Sequence, residues 1–155
     1  MSIIQKAVIF AKKEYIKNDP RHRWGHIKDI RKRALEIANQ LDDVDYEILE
    51  LAVIFHDINY HTSSTFKENY DRHVEASAEM AEKFLTENNY DESKKILVVQ
   101  AILDHSTPYR KKHGDSVILE GKILYDADKS FFMKNGENNE YYNLLYLKET
   151  KKLIE

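Results

Sequence analysis

Leu51-Ala52-Val53-Ile54-Phe55-His56-Asp57 is the stretch on which the reading of this chain turns: five apolar residues that end in an imidazole and a carboxylate. A run of that kind belongs in a core. Burying an unpartnered polar side chain there costs about 2 kcal/mol or more, and a bare carboxylate costs more still. Something must satisfy the pair. A metal ion is the partner that uses both ligands, whereas a lone buried histidine is more often simply hydrogen-bonded to a carbonyl. The choice depends on whether the rest of the chain supplies matching ligands.

Working outward from that run, helical spacing dominates and helix breakers are scarce, with two prolines and four glycines. Asp45 can cap a helix over residues 46–57 that ends at the His-Asp pair. Upstream, Ile4, Val8, Ala11 and Tyr15 share one face of a helix over 2–17. A polar segment, 18–25, separates it from a second helix marked by Ile27, Ile30, Ala34, Ile37, Ala38 and Leu41. Downstream, a loop rich in Thr, Ser and Asn leads to a fourth helix over roughly 72–87. Asp91 can cap a fifth that runs to His105. Pro108 is expected to stop that helix, with a Lys/Arg-rich loop continuing to Ser116. A sixth helix is expected from Leu119 to Met133, and a Tyr/Leu/Lys-rich seventh over 138–154. No hairpin signal, repeat or linker appears. The expected fold is all-α: one compact helical bundle of six to seven helices over residues 1–155.

The net charge is −3 and the charges are interspersed, without the basic tract that marks a dedicated nucleic-acid surface. No apolar stretch is long enough to cross a bilayer and no signal peptide is evident, so a cytoplasmic location is the expectation. The chain has no cysteine, which excludes disulfides and thiolate metal sites. Any metal must be held by His, Asp and Glu, a set that suits Fe, Mn, Co, Ni, Zn or Mg.

Helical geometry tests each polar residue by what lies three, four and seven positions away. His56 has Val53, Ala52 and Leu49 behind it. His105 has Ile102, Ala101 and Val98. His73 shares a face with Ser77, Met80 and Phe84, His26 with Ile30 and Ala34, and Asp128 is flanked by Leu124, Tyr125, Phe131 and Phe132. Each therefore points inward from a different helix. Four imidazoles with the carboxylates of Asp57 and Asp128 would fill a core oddly, but they form a natural ligand set for one or two divalent ions. Adjacent helical residues point about 100° apart, so His56 and Asp57 can share an ion only beside the helix end. A carboxylate placed there can instead give one oxygen to each of two ions.

In this order, His26, His56-Asp57 and a late Asp128 resemble the HD-domain superfamily of metal-dependent phosphohydrolases over roughly residues 18–133. The wording around them is similar too: Asp19 to His26 before the second helix, Ala52 to Tyr60, and Ile123 to Phe131. His73 and His105 are similar to the intermediate histidines of the subset with a dinuclear centre. His105-Ser106-Thr107 resembles the His-Thr of HD enzymes that cleave dinucleoside polyphosphates. There are departures. Asp29 stands where many relatives carry Arg, and Arg23 where many have Asp. Of the two late aspartates, the Ala-Asp wording favours Asp128 as the ligand and leaves Asp126 outside the set.

The resemblance implies a hydrolase that cleaves a small phosphorylated metabolite, a nucleotide being the expected substrate, by metal-activated water. Asp57, Lys129 and His61 are the candidate catalytic residues, Lys129 as a phosphate contact and His61, with His22, as a proton donor or supporting group. Arg110, Lys111, Lys112 and His113 could form a rim that attracts a polyphosphate. Trp24, Tyr60 and Tyr109 could stack on a base. Two alternatives stand beside this reading: a di-iron oxygenase of HD type, and a non-catalytic sensor that binds nucleotide. The last helix is expected to pack either on the domain or on a second copy in a homodimer.

Overall fold

The computed structural model describes the backbone of residues 1–60, 66–131, 133 and 140–155, and the side chains of all of these except 66–71. Eight α-helices occur among the described residues, with no strand: α1 Ile3–Tyr15, α2 Trp24–Ala38, α3 Tyr46–Phe55, α4 Phe66–Glu87, α5 Glu92–Asp104, α6 Thr107–His113, α7 Leu119–Ser130 and α8 Lys148–Ile154. Short 3-10 turns lie at Pro20–His22 and Glu140–Leu144. Local chemistry explains the starts. Ser2 and Gln5 close a reciprocal capping box on α1. Asp45 accepts from the Glu47 and Ile48 amides, and Asp91 from that of Lys94.

The apolar run lies in α3, which packs against α1, α2, α4, α5 and α7. Leu51 to Phe55 are each no more than 1% exposed, so the second half of α3 is buried all round. Each large apolar side chain so buried contributes roughly 1.5–3 kcal/mol. This central position carries the His-Asp pair to the middle of the bundle. Gly121 allows α7 to close onto α5, since a Cβ there would lie 2.6 Å from Ser116 Oγ and 3.5 Å from Ala101 Cα. Among the described residues, no helix is long and apolar enough to cross a membrane.

The structure corrects several expectations. Eight α-helices stand where six to seven were expected. Pro108 does not merely stop α5 but opens α6: Ser106 caps that helix by accepting from the Tyr109 amide, and a proline in the first turn lacks an N–H that would be unpaired anyway. The Lys/Arg-rich stretch is therefore helical rather than a loop. α4 begins at Phe66, several residues before its expected start, because Asn and Asp in its first turns read as loop formers when met without their context. The expected helix over 138–154 is divided. Asp126 captures the Tyr146 and Leu147 amides at 2.8 and 2.9 Å and Thr150 Oγ1 at 2.6 Å, so the segment breaks there and restarts as α8.

Candidate metal centre

α3 ends where the polar pair begins, and its last carbonyls are all answered. Tyr15 Oη donates to Ile54 O at 2.6 Å, the Ile58 amide to Phe55 O at 3.1 Å, and His56 Nδ1 to Val53 O at 2.7 Å. The buried Asn18 amide donates to Asp57 O at 2.9 Å. These bonds satisfy groups that a helix C-terminus otherwise leaves open. They also set the direction of both side chains.

With Nδ1–H given to Val53, the neutral His56 ring carries its lone pair on Nε2. That atom is fully buried and has no hydrogen-bond partner. Burial is the main cause that lowers the His56 pKa to about 4, so the lone pair is available at neutral pH. An orphaned buried acceptor of this kind is costly in a protein interior unless something such as an ion takes it. His105 is fixed in the same way, with Nδ1 on Ile102 O, but its Nε2 faces Asp57 Oδ1 at 3.4 Å.

The two oxygens of Asp57 face different ways. Oδ2 lies 3.4 Å from His56 Nε2 and 3.8 Å from His26 Nε2. Oδ1 lies 3.2 Å from His73 Nε2 and 3.4 Å from His105 Nε2. Asp128 Oδ1 joins the first group at 3.7 Å from His26 and 3.8 Å from His56. Two sets of ligand atoms result, each compact enough to hold an ion: His26, His56, Asp57 and Asp128, and Asp57, His73 and His105. Asp57 belongs to both. Nitrogen and carboxylate oxygen donors without sulfur suit the divalent ions named above.

The electrostatics agree with this composition. Burial pushes the carboxyls of Asp57 and Asp128 upward, but their surroundings outweigh it and hold both below the ordinary range. For Asp57 the cause is the neighbouring imidazoles; for Asp128 it is chiefly Lys129, whose Nζ lies 3.0 Å from Oδ2. Lys129 is in turn pushed up to about 12, because Asp128 outweighs the effect of burial. The His26 pKa is raised, burial being outweighed by Asp128 and Asp57.

These groups floor a pocket of about 560 Å³ whose walls include Pro20, Arg21, His22, Asp29, Tyr60 and Phe131. The structure thus brings together His26, His56, Asp57, His73, His105 and Asp128, with Lys129 beside them. His61 lies outside the described residues. Asp126 points away, to the C-terminal segment. Trp24 packs on Tyr15 at the edge of the core instead of lining the pocket, and Tyr109 stacks on His113. Arg110 is not a rim group: it donates to Asp115 and to Leu144 O, with its guanidinium 4.0 Å from the Tyr146 ring centroid. Sequence reasoning missed Asn18, whose role joins segments 39 residues apart.

A bundle whose central helix delivers a His-Asp pair into a ring of histidines and a second aspartate defines a class of helical domains suited to holding metal. The HD domain family model matches residues 23–133, and the chain belongs to the HD-domain family. It is similar to the crystal structure of a predicted HD superfamily hydrolase from an uncultured Thermotogales bacterium, with 28% identity over 97% of this chain and 80% of that one, and a TM-score of 0.68. No curated protein matches the chain.

Proposed function

We propose that the protein is a metal-dependent phosphohydrolase acting on a small phosphorylated metabolite, with a nucleotide as the expected substrate. The observation that carries this reading is Asp57, shared between two ligand clusters at the floor of an open pocket with a lysine beside it. The ligands would be His26, His56, Asp57 and Asp128 on one side and Asp57, His73 and His105 on the other. When bound, divalent metal supplies an activated water and neutralises charge on a phosphate.

The chain's own residues do the rest. The Nδ1 bonds of His56 and His105 fix their tautomers and aim both Nε2 atoms at the centre. Asp57 orients the four imidazoles around one carboxylate. Lys129, charged and held at the pocket edge by Asp128, meets a phosphoryl oxygen. The pocket volume admits a nucleotide-sized ligand. Fe, Mn, Co, Ni, Zn and Mg all suit the donor set.

Purified protein loaded in turn with Mn²⁺, Co²⁺, Fe²⁺ and Mg²⁺, and assayed against nucleotides and phosphate esters, tests the reading. Release of phosphate or pyrophosphate that depends on metal is expected. Absence of hydrolysis across the panel, together with O₂ consumption by iron-loaded protein on an alcohol or phosphonate, would overturn it in favour of an oxygenase.

A further inference from the structure

One side of the pocket is a wall built apart from the ligand clusters. The 3-10 turn Pro20–His22 begins at Asp19, which caps it by accepting from the Arg21 amide at 2.9 Å. The same carboxylate takes His22 Nδ1 at 3.1 and 2.9 Å from its two oxygens. The His22 ring is stacked on Tyr60, with centroids 3.7 Å apart and planes within 9°. Tyr60 in turn lies 4.6 Å from the His73 ring, and His22 meets His26 edge-on at 6.1 Å. Asn18 completes the frame, since its one amide donates both to His22 O at 2.8 Å and to Asp57 O at 2.9 Å. The wall and the floor are thereby tied to each other.

A half-buried histidine with no task does not need a carboxylate, an aromatic stack and a buried amide to hold it. This ring is 21% exposed, lines the pocket, and has only one polar atom left. Nδ1 is committed to Asp19, and among the described residues Nε2 has no hydrogen-bond partner. Preorganised side chains of this kind are characteristic of groups that meet a ligand.

We propose that His22 is a substrate-contact residue, whose Nε2 hydrogen-bonds an oxygen of the phosphorylated substrate beside the groups held by the clusters. The inference rests on the phosphohydrolase reading. The oxygen has two possible sources, a phosphoryl group or a sugar hydroxyl.

His22→Phe keeps the stack on Tyr60 and removes the hydrogen bond, and His22→Gln restores a polar group. Metal content, binding of inorganic phosphate by calorimetry, and kinetics on matched ribo- and 2′-deoxyribonucleotides are measured on metal-loaded protein. The expected loss in H22F is about tenfold, the size of one good hydrogen bond, with metal content unchanged and partial recovery in H22Q. A contact to phosphoryl oxygen weakens phosphate binding and lowers kcat/KM on both nucleotides. A contact to the sugar leaves phosphate binding intact and lowers kcat/KM on the ribonucleotide alone. H22F within about twofold of the wild type on every measure overturns the proposal, as does loss of metal, since a single hydrogen bond exceeds that limit. If the wild-type protein hydrolyses nothing, the phosphohydrolase reading fails by itself. Calorimetric binding of inorganic phosphate and of the two matched nucleotides then decides His22: weaker binding of any of the three by H22F supports the contact, and unchanged binding of all three overturns it.

Discussion

His56 Nδ1 donates to the carbonyl of Val53 at 2.7 Å, and that single bond turns the ring so that its other nitrogen is buried without a partner at the centre of the bundle. The His-Asp pair is thus an arrangement that leaves one lone pair unanswered at the place where an ion would take it. A site of this kind sacrifices stability in the metal-free chain for affinity toward its ligand.

His56→Leu should separate those two effects. Removing the orphaned acceptor offsets the loss of the bond to Val53, so the metal-free variant should unfold within about 1 kcal/mol of the metal-free wild type. Binding stabilises only a folded state that binds, so the rise in Tm that metal gives the wild type should shrink to what the Asp57, His73 and His105 cluster alone supplies. Thermal unfolding with and without Mn²⁺ reads both quantities. A variant stabilised by metal as strongly as the wild type would remove His56 from the ligand set.

Metal binding should weaken in acid, and His26 should set where. An imidazole must be neutral to ligate. The His26 pKa is raised above the ordinary value, with burial outweighed by the Asp128 and Asp57 carboxylates, so protons compete there at a higher pH than at an ordinary imidazole. His56, lowered to about 4 by burial, adds no competition until far more acid conditions. Affinity should therefore be flat at alkaline pH and fall about tenfold per pH unit below the His26 pKa, with one proton displaced per ion at that residue. Calorimetry in buffers of different ionisation enthalpy measures the proton count. No proton release near neutral pH would contradict the prediction.

Asp126 and Asp128 are two residues apart and should behave oppositely. Asp126 holds the C-terminal segment through two amides and a threonine hydroxyl, so Asp126→Ala should cost about 2–4 kcal/mol while the folded protein keeps its metal. Asp128→Ala should bind metal at least tenfold more weakly, with a smaller effect on stability. Denaturant unfolding and metal analysis on the same two preparations decide the matter.

Lys129→Met should leave metal bound and lower kcat/KM by about ten- to a hundredfold, the usual range for a charged contact to a reacting phosphate. Equal activity in the variant would mean that the lysine serves Asp128 alone.

How much of this was legible in the sequence follows from the range of the interactions. The inward direction of His26, His56, His73, His105 and Asp128 could be read from helical spacing because each is local to its own helix. The choice between Asp126 and Asp128 could not, since it depends on a segment 20 residues further on. Asn18 and Tyr15 were invisible as supports of α3 because their partners lie 39 residues away. Pro108 misled because proline reads as a stop, and only the Ser106 cap reveals it as a start. The division of Asp57 between two clusters was readable as a geometric option at a helix end; which histidines lie on which side required the packed bundle.

The sharing of Asp57 is the claim on which the rest depends, and metal stoichiometry in Asp57→Ala tests it most directly. The wild type and the variant, each saturated with Mn²⁺ or Fe²⁺ and freed of excess, are compared by elemental analysis alongside hydrolysis of the best substrate found. Loss of metal from both clusters, with activity lost as well, is the predicted result. A variant that keeps its metal and its activity would contradict the account.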